Sequence, residues 1–255
     1  MMNRIDQKFK TQDKILSIYF SAGFPNIDDT RIIIKELESS GVDMIEIGLP
    51  FSDPLADGPT IQKSSTVALN NGMNTSLLFE QLKDLRKITD VPVVIMGYFN
   101  PILQFGIKKF CKSCKEVGVD GLIIPDLPVD IYNDKYQKTF KSYGLLNMFL
   151  ITPQTSHRRI KYIDKISKGF IYMVSSYNVT GAIDSFDSFQ KKYFKRINSM
   201  KLKSPLLVGF GISNKDTFID AGKYSRGAII GSAYINWISE NGIYKTLEFI
   251  KSLKD

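Results

Sequence analysis

A carboxylate set among strand residues is the feature of this chain with the clearest chemical content. In residues 42–50 (VDMIEIGLP), Ile45, Ile47 and Leu49 alternate with Met44, Glu46 and Gly48. Successive strand residues face opposite sides, so if the aliphatic set lies under covering helices, Glu46 turns inward. A buried carboxylate costs on the order of several kcal/mol unless paired, which raises its pKa. A carboxyl group still protonated near neutrality is a candidate proton donor. A structural Glu bonded to neighbouring backbone fits the same residues equally well. Tyr19 shares an inward face with Ser17 and Ser21, Tyr98 with Val94 and Met96, and Tyr172 with Val174. One acid among tyrosines and aliphatics suits a flat aromatic ligand with a reacting polar end. Each tyrosine taken alone also fits an ordinary core position.

A second chemistry is suggested nearer the carboxyl end. Gly209-Phe210-Gly211-Ile212-Ser213-Asn214 and Gly231-Ser232-Ala233 each end a predicted strand and open a helix. Glycine lets backbone N–H groups approach an anion, and a helix start adds partial positive charge, so both are candidate phosphate loops, although turn-making alone also explains a Gly-x-Gly. Val179-Thr180-Gly181-Ala182 is a candidate third lobe.

The elements that must carry these groups follow from the apolar runs. Eight of them begin near Ile15, Val42, Val91, Val119, Asn147, Gly169, Ser204 and Gly227. Most are nearly continuous, as in parallel strands buried on both faces. Segments of helical period lie between them, including DDTRIIIKELESS, NTSLLFEQLKDLRKI, GIKKFCKSCKEVG and NKDTFIDAGK. The spacing averages about 30 residues, the length of one strand–helix–strand unit. A doubly wound open sheet alternates in the same way. Eight units filling 255 residues without a linker favour a single α/β domain over residues 1–255, a (β/α)8 TIM barrel. The interval from Val42 to Val91 is 49 residues, about twenty more than a short connection needs. It predicts an extended loop and an extra helix after strand two, beginning Pro50-Phe51-Ser52-Asp53-Pro54-Leu55-Ala56-Asp57-Gly58-Pro59. Barrels keep their chemistry on such loops at the carboxyl ends of the strands.

Other classes are disfavoured. Two cysteines are no disulfide framework, and Cys111-x-x-Cys114 lies among lysines in a helical segment with no second pair, so it reads as incidental. His157 is the only histidine, and no metal site is expected. The net charge of +8 comes from dispersed lysines, which fit solvated helix faces better than a nucleic-acid surface. No uncharged apolar run is long enough for a membrane span, and residues 1–14 lack the apolar stretch of a secretory signal, so a cytoplasmic location is expected.

Residues 45–62 (IEIGLPFSDPLADGPTIQ) resemble the signature of the tryptophan synthase alpha family. Gly23-Phe24-Pro25, Gly97-Tyr98-Phe99-Asn100-Pro101, Pro125-Asp126-Leu127-Pro128, Val179-Thr180-Gly181, Gly209-Phe210-Gly211-Ile212-Ser213 and Gly231-Ser232 match in register, over nearly the whole chain. The resemblance implies retro-aldol cleavage of indole-3-glycerol phosphate to indole and glyceraldehyde 3-phosphate, without a cofactor in this chain. It implies a beta-subunit partner carrying pyridoxal phosphate, in an α2β2 complex. Glu46 matches the family's general acid–base and Asp57 its second catalytic carboxylate. Asp57, on a more polar loop, is expected to stay ionised. Tyr19, Tyr98, Tyr172, Thr180 and Gly181 fall at substrate-lining positions, Gly211, Gly231 and Ser232 at the phosphate, and Asp53 and Pro54 on the loop facing the partner. Two departures stand out: Tyr19 where the family commonly has Phe, and Asn178 where it usually has Gly. An allosteric subunit with weak chemistry and a different phosphate-binding isomerase barrel are the competing readings.

Overall fold

Eight parallel strands close on themselves in chain order: β1 (Ile15–Ser21), β2 (Met44–Gly48), β3 (Val93–Met96), β4 (Gly121–Ile123), β5 (Leu146–Ile151), β6 (Ile171–Val174), β7 (Leu206–Gly209) and β8 (Gly227–Ile230). β8 returns to pair with β1, so the sheet has no edge and the expected barrel, rather than an open sheet, is found. A computed structural model describes residues 2–175 and 186–254. Among the described residues no helix is long and apolar enough to cross a membrane.

Register pairs Tyr19 with Glu46, Ser21 with Gly48, and Glu46 with Val94. Tyr19 and Glu46 both line the cleft at the carboxyl ends of the strands, so the inward placement expected of these two holds. The 49-residue interval contains α3 (Pro59–Asn70), α4 (Thr75–Gln81) and a short helix, Leu85–Ile88. The predicted continuous segment NTSLLFEQLKDLRKI thus breaks between Gln81 and Leu85. Cys111 and Cys114 are both buried on the helix Ile107–Val117, where their i, i+3 spacing continues the apolar stripe of Phe110 and Val117.

Two helices precede α3: α1 (Arg4–Thr11), which the apolar periodicity does not predict, and α2 (Asp29–Ser39). Asn3 caps α1 by accepting from the Ile5 N–H. Ile5 is wholly buried and fills the amino end of the barrel; a Cβ on Gly121 would stand 3.0 Å from its Cδ1. Arg226 anchors the other end of α1 by donating to the Phe9 and Gln12 carbonyls.

Beside this plug, Asp120 is 4% exposed and takes three hydrogen bonds. They come from Arg4 at 3.1 Å, Arg86 at 2.6 Å and the Val93 N–H at 2.9 Å. Asp120→Ala leaves two guanidinium groups facing each other, and we expect it to lower unfolding free energy by about 2 kcal/mol. That is below the ~3–5 kcal/mol of a fully buried pair because Arg4 is partly solvated. Urea denaturation measures it; an unchanged midpoint contradicts the prediction.

Candidate active site

The carboxyl ends of the strands surround an open cleft with about 710 Å³ of space free of atoms, mouth included. Tyr19, Glu46, Asp57, Tyr172, Gly211, Gly231 and Ser232 all line it, so residues spread over most of the sequence converge there. Thr180 and Gly181 lie outside the described residues.

Glu46 is 1% exposed, and its Oε1 has no hydrogen-bond partner. That disfavours a structural Glu tied to backbone. Burial, reinforced by the negative charge of Asp57, pushes its carboxyl from the ordinary 4.5 up to about 8. Glu46 is therefore mostly protonated at neutral pH.

Asp57 sits two residues before α3, in the turn Asp57-Gly58-Pro59 that starts it. Its surroundings are more enclosed than the polar loop the sequence suggested, and burial pushes its carboxyl from 3.8 up to about 6. A hydrogen bond from the Tyr98 hydroxyl opposes the rise. Asp57 is still mostly ionised at neutral pH, so the two carboxyls keep different protonation states. Tyr98 does not line the cleft. It stands behind Asp57, accepts from the Ala56 N–H at 2.9 Å and stacks on Phe51 with ring centroids 5.2 Å apart.

Two glycines let the inner tyrosines lie flat against the wall. A Cβ at Gly48 would fall 2.1 Å from the Tyr19 hydroxyl, and one at Gly209 would fall 2.1 Å from that of Tyr172. Gly231 is the N-cap of the helix Ser232–Asn241, which begins directly after β8 without a side-chain cap. After β7 the next helix, Lys215–Gly222, starts only at residue 215, so Gly211 lies in a turn rather than at a helix start. Phe210 and Gly211 both have left-handed backbone, with φ of 69° and 75°. The Ser175 Oγ donates to the Phe210 carbonyl at 2.6 Å and holds this turn. Ser175 and the strained Phe210 escape sequence reasoning; a non-glycine left-handed residue leaves no sequence signal beyond its glycine neighbours.

Asp53 is exposed and Pro54 half-buried on the rim loop, next to Leu55, which is 91% exposed. His157 is exposed at the start of the helix His157–Ile166. Among the described residues no group of three or more His, Cys, Asp or Glu stands together as a metal set.

The family model described as tryptophan synthase alpha chain matches residues 5–253. The tryptophan synthase alpha chain of Flavobacterium psychrophilum is 63% identical over 252 residues, covering 99% of this chain and all of the relative. The solved tryptophan synthase subunit alpha of Legionella pneumophila superposes with a TM-score of 0.90 at 31% identity, over 100% of this chain and 98% of that one. A chain of the tryptophan synthase complex of Pyrococcus furiosus superposes with a TM-score of 0.86 at 32% identity, over 95% and 98%. Agreement along the full length, in sequence and in backbone, means that this chain belongs to the tryptophan synthase alpha chain family, lyases that cleave indole-3-glycerol phosphate in tryptophan biosynthesis.

Proposed function

We propose that Glu46 and Asp57 divide the proton chemistry of this cleavage. The carrying observation is a buried carboxyl whose Oε1 has no hydrogen-bond partner, facing the same cleft as a second carboxyl of lower pKa. The bond to be broken joins indole C3 to the hydroxyl-bearing carbon of the side chain. Glu46, protonated, delivers its proton to C3 and turns the ring into a leaving group. The ring nitrogen then carries positive charge, which ionised Asp57 stabilises by accepting from the N–H. The Glu46 carboxylate takes the side-chain hydroxyl proton as the aldehyde forms. The bond electrons return to the ring, indole leaves, and Glu46 ends protonated as it began.

Gly211, Gly231 and Ser232 hold the phosphate through backbone N–H groups and the helix start, fixing the reacting carbon beneath Glu46. Tyr19 and Tyr172 line the ring. Thr180 and Gly181 complete the substrate contacts. These proton transfers are within reach of side chains, so the chain itself works without a cofactor; pyridoxal phosphate belongs with a beta partner. The exposed rim of Asp53, Pro54 and Leu55 meets that partner in an α2β2 complex, a reading supported by the solved Pyrococcus furiosus structure, which is of a tryptophan synthase complex. The protein works in the cytoplasm on a small phosphorylated substrate, with no role for nucleic acid or membrane.

The test is indole release from indole-3-glycerol phosphate by the purified chain, alone and with a beta subunit. Release that rises with the partner supports the reading; no indole under either condition removes it. Tyr98→Phe probes the support behind Asp57. Losing its hydrogen bond lets the Asp57 carboxyl rise further, so the acidic limb of kcat against pH should move up by about half a unit to one unit. With that shift we expect kcat to fall by no more than about twofold at pH 7 and about two- to fivefold at pH 6, as the ionised fraction of Asp57 falls. A profile identical to wild type contradicts this.

A further inference from the structure

We infer that Tyr19 is a positioning residue for the substrate ring: its hydroxyl oxygen accepts from the indole N–H alongside Asp57, its own hydrogen being turned toward a buried serine pair. The inference rests on the proposed roles of Glu46 and Asp57 in the cleft.

The direction of each hydrogen bond is fixed from the Ser64 end of the series. Ser64, on the second turn of α3, lies 2.9 Å from the Ile61 carbonyl. A carbonyl oxygen only accepts, and two oxygens at that distance repel without a hydrogen between them, so the Ser64 hydrogen is there. Ser21 and Ser64 are 2.7 Å apart. With the Ser64 hydrogen used, Ser21 donates. Tyr19 lies 3.5 Å from Ser21, longer than an ordinary O–H···O bond, so distance alone does not name the donor; with the Ser21 hydrogen directed at Ser64, Tyr19 is the one of the two with a hydrogen to give. Ser21 and Ser64 are no more than 1% exposed, so water does not compete for them.

Only lone pairs are left on the Tyr19 oxygen for the cleft. That oxygen rests over Gly48, one inward position nearer the mouth than Glu46. Of the two carboxylates, Asp57 acts on it more strongly. An N–H directed at Asp57 thus meets a second acceptor. Tyr98 cannot take this part, since it does not line the cleft and its hydroxyl accepts from Ala56. A ring nitrogen gaining positive charge makes its N–H a stronger donor, so two acceptors hold it better than one.

The probes are 3-(indol-3-yl)propyl phosphate, which cannot react, and its benzofuran counterpart, in which a ring oxygen replaces the N–H. Each is titrated calorimetrically into the full chain as wild type, Tyr19→Phe, Ser64→Ala and the double variant. We expect Tyr19→Phe to weaken the indole probe about three- to tenfold, the value of one net hydrogen bond, and to leave the benzofuran affinity within about twofold. Ser64→Ala frees the Tyr19 hydrogen to turn into the cleft, so it weakens the indole probe in the same direction. In the Tyr19→Phe background it adds nothing. Unchanged indole affinity in Tyr19→Phe, equal losses for the two probes, or additive effects of the two substitutions overturn the inference alone. A wild-type chain that binds neither probe overturns the proposed function of the cleft, and the inference with it.

Discussion

Glu46→Gln should lower kcat for indole release about 10³- to 10⁴-fold, the upper range of general acid–base catalysis, because one carboxyl gives the first proton and takes the second. The amide keeps the shape of the side chain, so binding of an unreactive indole phosphate should survive. A variant that turned over within tenfold of wild type would remove Glu46 from the chemistry. The same substitution has a stability signature of known sign. The folded chain keeps the Glu46 proton up to about pH 8, whereas the unfolded chain loses it near 4.5. Between those values the unfolded state binds fewer protons, so wild-type stability falls as pH rises, by up to about 1.4 kcal/mol per pH unit from this group. Glu46→Gln abolishes that contribution. Denaturation curves from pH 5 to 8 should show a shallower decline for the variant than for wild type.

Asp57→Asn should lower kcat by about 10²-fold, because an amide oxygen stabilises a cationic ring N–H less than a carboxylate does. Its pH profile is the sharper test. In wild type, activity needs Asp57 ionised and Glu46 protonated, so kcat should rise with an apparent pKa of about 6 and fall with one of about 8. Asn at position 57 removes the acidic limb. It also removes the charge that helps raise Glu46, so the basic limb should move to lower pH. A basic limb that stays in place in Asp57→Asn would mean that the two carboxyls do not feel each other.

Much of this site is legible in the amino-acid sequence. The alternation around Glu46 can be read because a strand has a period of two residues and because Ile45 and Ile47 mark the covered face. The loop bearing Asp57 shows itself as surplus length bounded by prolines. What escapes depends on contacts between distant residues. Ser21 meets Ser64 43 positions away, and nothing local to either serine indicates the other. Tyr98 has the parity of a cleft-lining residue, yet the Asp57 loop folds between it and the cleft. The enclosure that raises the Asp57 carboxyl is made by the same fold of the loop. The break between α4 and the helix Leu85–Ile88 likewise follows no proline or glycine; the segment NTSLLFEQLKDLRKI is helical in composition throughout. By contrast α1 does carry a local signal, an Asn cap followed by Ile5 and Phe9 four residues apart, but one helical turn of apolar pattern is too short to stand out.

Ile5, seated in the amino end of the barrel, sets the traffic of small molecules. With that end filled, the cleft among the described residues opens at the carboxyl ends of the strands, where Leu55 is displayed on the rim. A protein docked across that rim would stand between the cleft and solvent, so a released bicyclic product would leave past it.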